Sequence, residues 1–169
     1  AANLELKYNW GKTEKDRVTL EGIFTTGDDD PLDDKYSSPF TMNYYGLPGA
    51  VWFNHKTLLL FPFTSTVSNY TGAVSDISNR GYGLTAVIAT GSADLIPNKL
   101  SLKLGAAFGA SSADPPAEAL GDTGDPGRII GTEINLELEY QIRYLMTLGF
   151  HTGYMFKGDF YEGSNQVKD

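Results

Sequence analysis

The chain contains no cysteine, and this absence excludes a disulfide scaffold, a thiolate metal site and a cysteine nucleophile. Its two histidines, His55 and His151, lie far apart and belong to neither a zinc nor a haem motif. Basic residues are also scarce: 13 Lys and Arg stand against 21 Asp and Glu, for a net charge of −8. Binding to nucleic acid or to anionic lipid through a basic surface is therefore not expected.

Long hydrophobic runs are missing as well. The longest, residues 58–61, is broken by Pro62, so the sequence predicts no transmembrane helix, which needs about 20 apolar residues. With 169 residues, 41% of them hydrophobic and 20% charged, the chain is expected to fold as one domain. It is rich in Gly (19), Tyr (10) and Phe (9). This composition is typical of all-β proteins, either a secreted β-sandwich or an outer-membrane β-barrel.

Alternation of apolar and polar residues predicts long strands. Residues 130–143 alternate throughout, with Ile134, Leu136 and Leu138 on one face and Glu133, Glu137 and Glu139 on the other. At about 3.3 Å per residue this strand exceeds 40 Å, whereas strands of globular proteins usually have about 5–6 residues. Similar alternation predicts strands at 3–10, 18–25, 82–89, 100–110 and 146–157. In 82–89 the apolar face is assigned to Tyr82, Leu84, Ala86 and Ile88. A seventh strand within 50–67 is weakened by Pro62.

The predicted connections alternate between short and long. Short links near 11–16, 91–98 and 143–144 separate two long segments, about 27–80 and 111–129. Outer-membrane barrels have this pattern of short periplasmic turns and long extracellular loops. Aromatic residues near the strand ends fit the interfacial girdles of such a barrel: Trp10, Phe24, Tyr140, Tyr154 and Phe156. The alternative is that these aromatics form the core of a sandwich.

Several short motifs stand out: residues 131–138 (Gly-Thr-Glu-Ile-Asn-Leu-Glu-Leu), 148–150, 154–160 (Tyr-Met-Phe-Lys-Gly-Asp-Phe), 26–31 and 97–102. Together they resemble the C-terminal part of the alginate-export-like family of bacterial outer-membrane proteins. The resemblance implies an antiparallel barrel of about eighteen strands that passes material across the outer membrane.

The chain departs from this family in two ways. Residues 166–169 do not form the family's last strand with its terminal aromatic, and six strands fall short of the about eight that close a barrel. Residues 1–169 are therefore expected to be a single barrel segment of about six to seven strands, part of a larger transmembrane barrel in the bacterial outer membrane.

The polar face of the predicted strands is expected to line the lumen. It carries Glu5, Lys7, Glu21, Lys103, Glu133, Glu137, Glu139, Gln141, Arg143, His151 and Lys157. So many charges fit a wet channel wall better than a dry core, although the solvent side of a one-sided sheet gives the same alternation. Acids outnumber bases here, so specificity for alginate is not carried over from the resemblance.

The expected function is a channel that passes hydrophilic solutes or polysaccharide, with no catalytic residues and no obligatory cofactor. Its expected partners are outer-membrane lipid, the solute and the rest of the parent barrel. Glu137 and Glu139 lie about 7 Å apart on one strand, but any strand holds many such pairs, so a hydrolase is disfavoured. The alternatives are a secreted β-sandwich carbohydrate-binding module and an outer-membrane enzyme.

Two further hypotheses concern the loops. Glycines are assigned to the polar face at positions 83, 105, 109, 149 and 153, which suggests that a loop from 27–80 packs on this bare strip; the alternative is that they ease curvature. Clustered carboxylates in the first long loop could bind Ca²⁺: Asp28, Asp29, Asp30, Asp33 and Asp34. Their spacing does not match an EF-hand, and a solvated acidic loop is the favoured interpretation.

Overall fold

A computed structural model describes residues 1–29, 34–38, 57–61, 79–114 and 127–161. These residues form one antiparallel sheet of six strands in sequence order, a meander. The strands are β1 (Ala2–Asn9), β2 (Arg17–Phe24), β3 (Thr85–Ile96), β4 (Leu100–Ala110), β5 (Ile129–Arg143) and β6 (Met146–Lys157). Two 3₁₀ turns, Asn79–Gly81 and Asp159–Tyr161, flank the sheet. Among the described residues, no helix is long and apolar enough to span a membrane.

The all-β class and five of the six strands follow the predicted alternation closely. β4 and β6 have the predicted bounds, and the bounds of β1, β2 and β5 differ by one residue or less at each end. β3 differs most, because it begins at Thr85 and continues to Ile96. Of the weaker candidate strand at 50–67, the structure describes 57–61, which form bends and no strand; the rest lies outside the described residues.

Short and long connections alternate as predicted, and each kind lies at its own end of the sheet. The short turns span 10–16, 97–99 and 144–145, whereas the long connections span 25–84 and 111–128. The β5–β6 turn places Leu145 at φ 60°, a left-handed conformation that is uncommon for a residue with a large side chain. A register shift between Gln141 and Arg143 accompanies this turn.

The strand register defines two faces. One lateral row joins Glu21, Ile88, Ala107, Glu133 and Met155, and another joins Arg17, Ser92, Lys103, Glu137 and His151. Side chains alternate along each strand, so both rows lie on one side of the sheet, which we call the polar face. The opposite side, the apolar face, carries Leu20, Ala106 and Ile134 in one row.

The face assigned to the third strand was wrong. Ala86 and Ile88 are in register with Ile23 and Glu21, so they lie on the polar face, while Val87 and Ala89 lie on the apolar face. The cause is that β3 is apolar on both faces at the end near the long connections. Hydrophobic alternation cannot choose between two apolar faces.

The buried core lies on the polar face, at the end of the sheet near the long connections. It consists of Ile23, Leu60, Phe61, Leu84, Ala86, Ile88, Ala107, Ile130 and Phe160. Leu60 and Phe61 come from the segment 57–61, which packs over the sheet and which we call the strap. The strap divides the polar face into a covered half beneath it and an open half toward the short turns.

Candidate functional site

The predicted lumen residues share the polar face but differ in their surroundings. By register, the polar face holds Glu5, Lys7, Glu21, Lys103, Glu133, Glu137, Glu139, His151 and Lys157. Gln141 is paired with Thr147, and Arg143 is paired with Met146 beside the β5–β6 turn. Glu21 and Glu133 are buried in the covered half, whereas Glu139 and His151 are exposed in the open half.

Glu133 is the centre of the covered half, and its side chain is 0% exposed. The backbone N–H groups of Leu58, Leu59 and Leu60 donate to its carboxylate, with N···O distances of 2.8, 3.0 and 2.5 Å. Asn135 Nδ2 donates to Glu133 Oε1 at 2.9 Å. A buried charge is tolerated only when it is paired or well hydrogen-bonded, and these donors fill the acceptor sites of the carboxylate. The strap is thereby fixed to β5 through its backbone.

Apolar contacts add to this anchoring. A Cβ atom placed on Gly109 would lie 3.5 Å from Leu60 Cδ2 and 3.5 Å from Phe61 Cζ, so the strap rests directly on the bare backbone of β4. Burying a leucine or phenylalanine side chain stabilises a fold by about 1.5–3 kcal/mol. The hypothesis that a loop from 27–80 packs on the glycine strip is confirmed at Gly109.

The other glycines of the predicted strip have different neighbours. A Cβ at Gly105 would meet the Asn135 side chain at 2.5 Å, and one at Gly149 would meet His151 Nε2 at 2.7 Å. Gly153 borders Asn135 and Glu133. Gly105 and Gly153 therefore make room for side chains of β5, and Gly149 makes room for His151 of its own strand, β6. Gly83 precedes β3 and lies against residues 26–27, so its assignment to the polar strip was wrong.

Ion pairs brace the open half of the polar face. Lys103 Nζ lies 2.6 Å from Glu137 Oε1, and His151 Nδ1 lies 3.2 Å from Glu137 Oε2, which links three strands. Lys103 and Glu137 are register partners on β4 and β5, so their side chains meet directly across the two strands. Half-exposed pairs of this kind stabilise a protein by about 0–1 kcal/mol, so they shape the charge of the surface more than they hold the fold.

A second pair reaches the open half from the β1–β2 turn. Lys15 Nζ lies 3.1 Å from Glu139 Oε2 and 3.0 Å from Ser101 Oγ. A cleft of about 460 Å³ opens here, and its lining includes Lys15, Glu139 and Gln141. Strand alternation could not predict Lys15 in this place, because the turn folds back over the sheet. With Glu137 and Glu139 both paired to cations, the open half holds charges of both signs in close alternation.

Asp16 fixes that turn. Its carboxylate accepts hydrogen bonds from the backbone N–H groups of Asp94 (2.9 Å), Thr13 (3.1 Å) and Lys12 (3.0 Å). These hydrogen bonds favour the charged form and hold the pKa of the Asp16 carboxyl below its ordinary value. The sequence offered a signal for the local hydrogen bonds from Thr13 and Lys12, since Asp commonly accepts hydrogen bonds from the backbone in polar turns, but none for the contact with Asp94.

At the opposite end of the sheet, an ion pair joins the two ends of the β4–β5 connection. Asp114, just beyond β4, pairs with Arg128, just before β5. The hydrogen bond from Arg128 lowers the pKa of Asp114, and the same bond raises the pKa of Arg128. This contact holds the strand ends together where the 111–129 loop leaves the sheet.

The carboxylates predicted as a calcium site are only partly described. Asp28 is buried and accepts an N–H from Ser37 at 3.4 Å, whereas Asp29 is exposed. Asp34 is also exposed, and Asp30 and Asp33 lie outside the described residues. Among the residues that the structure describes, no group of three or more His, Cys, Asp or Glu side chains is arranged to hold a metal ion. Calcium binding stays a prediction.

The apolar face is left uncovered by the described residues. Leu104 and Ile134, near the middle of the sheet, are 50% and 51% exposed, and Phe150 is 60% exposed. Large exposed side chains continue over all six strands: Leu4, Leu6, Tyr8, Val18, Leu20, Phe24, Val87, Phe108, Tyr140, Leu148, Tyr154 and Phe156. An apolar surface of this extent marks an interaction surface, for lipid or for protein.

Aromatic residues on the apolar face lie in two bands, both of which run diagonally across the strands. Residues are called level when register pairs connect them from strand to strand. In the band near the short turns, Tyr8 on β1 is level with Leu136 on β5. The aromatic residue of β5 is instead Tyr140, four positions nearer the β5–β6 turn. Toward the long connections, Phe24 on β2 is level with Ala110 on β4. The aromatics of β6 in that band are Phe156 and Tyr154.

Phe156 is in register with Thr132 and hence with Phe108, two positions along β4 from Ala110. Tyr154 lies two positions further in the same direction. Phe150 on β6 belongs to the band near the short turns; it is in register with Leu138, two positions nearer the short turns than the level of Tyr8 and two positions back from Tyr140. From β1 or β2 to β5 or β6, both bands therefore shift toward the short turns, by two to four positions.

Comparisons with known proteins give no match: no family model matches the chain, and no curated protein or solved structure matches it significantly.

Proposed function

We propose that this chain forms part of the wall of an outer-membrane β-barrel that passes hydrophilic solutes. In this proposal the apolar face contacts lipid and the polar face lines a water-filled lumen. Solutes cross without a chemical step. The motif resemblance to the alginate-export-like family supports this proposal, and polysaccharide is within the class of solutes that it covers.

The observation that carries the proposal is the diagonal course of the two aromatic bands. Strands of a membrane barrel tilt by about 40°, and neighbouring strands are about 4.8 Å apart. A plane parallel to the membrane therefore shifts along each successive strand by about 4 Å, or roughly 1.2 residues. Over four strands the expected drift is about five residues, and the observed drift of two to four residues has the same sense in both bands. A sandwich core contains no membrane plane for two parallel bands to follow.

The spacing of the bands supports the same interpretation. On β5, Thr132 marks the band near the long connections, because it is in register with Phe108 and Phe156. Tyr140, in the other band, lies eight positions further along the same strand. Eight residues span about 26 Å along a strand, which a 40° tilt reduces to about 20 Å along the barrel axis. The apolar band of an outer-membrane barrel is about 25 Å tall. The aliphatic zone between the bands is thus of suitable height to meet the hydrocarbon core.

The polar face favours hydrophilic solutes of no single charge. In the open half, Lys103, Glu137 and His151 interact, and so do Lys15 and Glu139, so neither sign dominates. A lumen wall with such pairs offers hydrogen-bonding groups of both kinds to a passing solute. Further strands beyond β1 and β6 would complete the barrel, because six strands are fewer than about eight.

The test is reconstitution of the whole protein in planar lipid bilayers. The proposal predicts discrete single-channel currents and extraction of the protein from membranes only by detergent. A protein that is monodisperse in buffer without detergent, and that produces no currents, would contradict it and favour the secreted carbohydrate-binding module.

A further inference from the structure

We infer that Glu133 is the positioning residue that holds the strap across the polar face and so sets the open cross-section of the pore. The effect on a pore deepens the proposed function and rests on it. The attachment of the strap to Glu133 stands independently, on the hydrogen bonds already described.

Glu133 combines features that its neighbours on β5 lack. It is fully buried, and three successive backbone N–H groups of the strap converge on its two oxygens. Glu137, four positions along the same strand and on the same face, instead pairs with Lys103 and His151 in the open half. One glutamate of β5 thus binds backbone, and another glutamate on the same face of the strand binds side chains.

The distribution of the donors makes the attachment depend on a carboxylate. Leu58 and Asn135 donate to Oε1, while Leu59 and Leu60 donate to Oε2. Replacing Glu133 by glutamine converts one oxygen into an NH₂ group. If Oε2 is replaced, Leu59 and Leu60 both lose their acceptor and face a donor. If Oε1 is replaced, Leu58 loses its acceptor, whereas Asn135 can turn its amide so that its oxygen accepts from the new NH₂ group. A substitution that hardly changes shape is therefore expected to release the strap.

Release of the strap would open the covered half of the polar face. Beneath the strap lie Ile23, Ile88 and Ala107, which are buried because the strap and its neighbours exclude water from them. With the strap in place, the carboxylates of Glu21 and Glu133 in this half are buried and do not reach the solute. Ions that pass this part of the wall are thus confined to the lumen on the far side of the strap. Release of the strap widens the cross-section through which they flow.

The experiment uses the whole protein in lipid and compares Glu133→Gln with the matched variant Glu137→Gln. Amide hydrogen exchange of 57–61 reports attachment, and single-channel conductance in potassium chloride reports cross-section. Glu133→Gln is expected to speed exchange of 57–61 by at least about tenfold, since hydrogen bonds to a charged acceptor are among the stronger ones. It is also expected to raise conductance. Glu137→Gln is expected to leave exchange of 57–61 unchanged.

A second variant guards against misfolding of the sheet. Leu59→Pro removes one strap donor without altering any strand, and it should shift exchange and conductance in the same direction by less. Unchanged exchange in both Glu133→Gln and Leu59→Pro would overturn the attachment. Faster exchange with unchanged conductance would overturn the role of the strap in setting pore size. Absence of currents from the unsubstituted protein would overturn the proposed function, while the exchange result would still decide the attachment.

Discussion

The loss of stability caused by a single arginine on the apolar face shows whether that face lies in hydrocarbon. Leu104 lies midway between the two aromatic bands, in register with Leu136, whereas Leu100 is in register with Tyr140 at the band near the short turns. In membrane barrels an outward arginine costs about 2–4 kcal/mol at the bilayer midplane and about 0–1 kcal/mol near the interface. Leu104→Arg and Leu100→Arg therefore probe two depths on one strand.

The magnitude follows from these positions. Each arginine variant is compared with alanine at the same site, so that the loss of the leucine side chain cancels. The difference between the two sites should be about 2–3 kcal/mol, or roughly a 30- to 150-fold change in the unfolding equilibrium constant. Reversible urea unfolding in lipid vesicles is the assay.

Two results would refute this reasoning. If both arginines change stability by less than about 0.5 kcal/mol, the face is exposed to water, as for ordinary surface sites. If both cost about 3–5 kcal/mol with no difference between them, the face is buried against protein, where an unpaired charge is costly at any depth.

Three further predictions concern the polar face and the turns. Gly109→Leu should destabilise the protein by about 1–3 kcal/mol and speed exchange of 57–61, because the added side chain overlaps the strap, while Gly149→Leu leaves that exchange unchanged. Asp16→Asn should lower the melting temperature at pH 7 but not near pH 2: the lowered pKa stabilises the fold above the unfolded value of about 3.9, and this is lost as pH falls through the folded value. Leu145→Asn should raise the unfolding free energy by about 1 kcal/mol in urea titrations, because asparagine tolerates positive φ better than leucine.

Each of these has a contradicting outcome. Equal exchange rates in the two glycine variants would mean that the strap does not rest on β4. A melting difference for Asp16→Asn that persists near pH 2 would assign the effect to packing and not to charge. Lower stability of Leu145→Asn would mean that the turn side chain makes contacts that outweigh its backbone strain.

Strand positions were predictable because alternation with period two extends over most of the sheet. Residues 100–110 keep aliphatic or aromatic side chains on one face and small or polar ones on the other, and residues 146–157 do so except at Thr152 and Met155. The bounds of both strands were predicted correctly. Short turns determine three of the five strand pairs, since strands joined by a short turn pair with each other. The two pairs across the long connections were expected from the alternation of short and long connections that is typical of barrels.

The third strand shows where this reasoning fails. Ile88 faces the strap and Val87 faces outward, so apolar residues occupy both faces of β3 at this end. Which face is covered then depends on tertiary contacts with the strap, and the sequence of a single strand contains no information about these contacts. The same limit explains why the sequence assigned Glu133 and Glu137 one role, although only Glu133 lies beneath the strap.

Contacts made by turns were also beyond the reach of the sequence. The β1–β2 turn was recognised as short and polar, but its contacts depend on how it folds back against β3 and β4. Asp16 reaches the N–H of Asp94, and Lys15 reaches Ser101 and Glu139. These pairs are far apart in the chain and have no shared periodicity that a pattern could detect.

The most direct test of the account is to measure which side chains of β4 touch acyl chains. Because the chain has no cysteine, single cysteines at positions 100–110 can each be labelled with a fluorophore and exposed to a quencher attached to lipid tails. The account predicts quenching that alternates with every residue, strong at even positions, weak at odd ones, and greatest at 104. Uniformly weak quenching along the strand, or strong quenching at the odd positions, would contradict it.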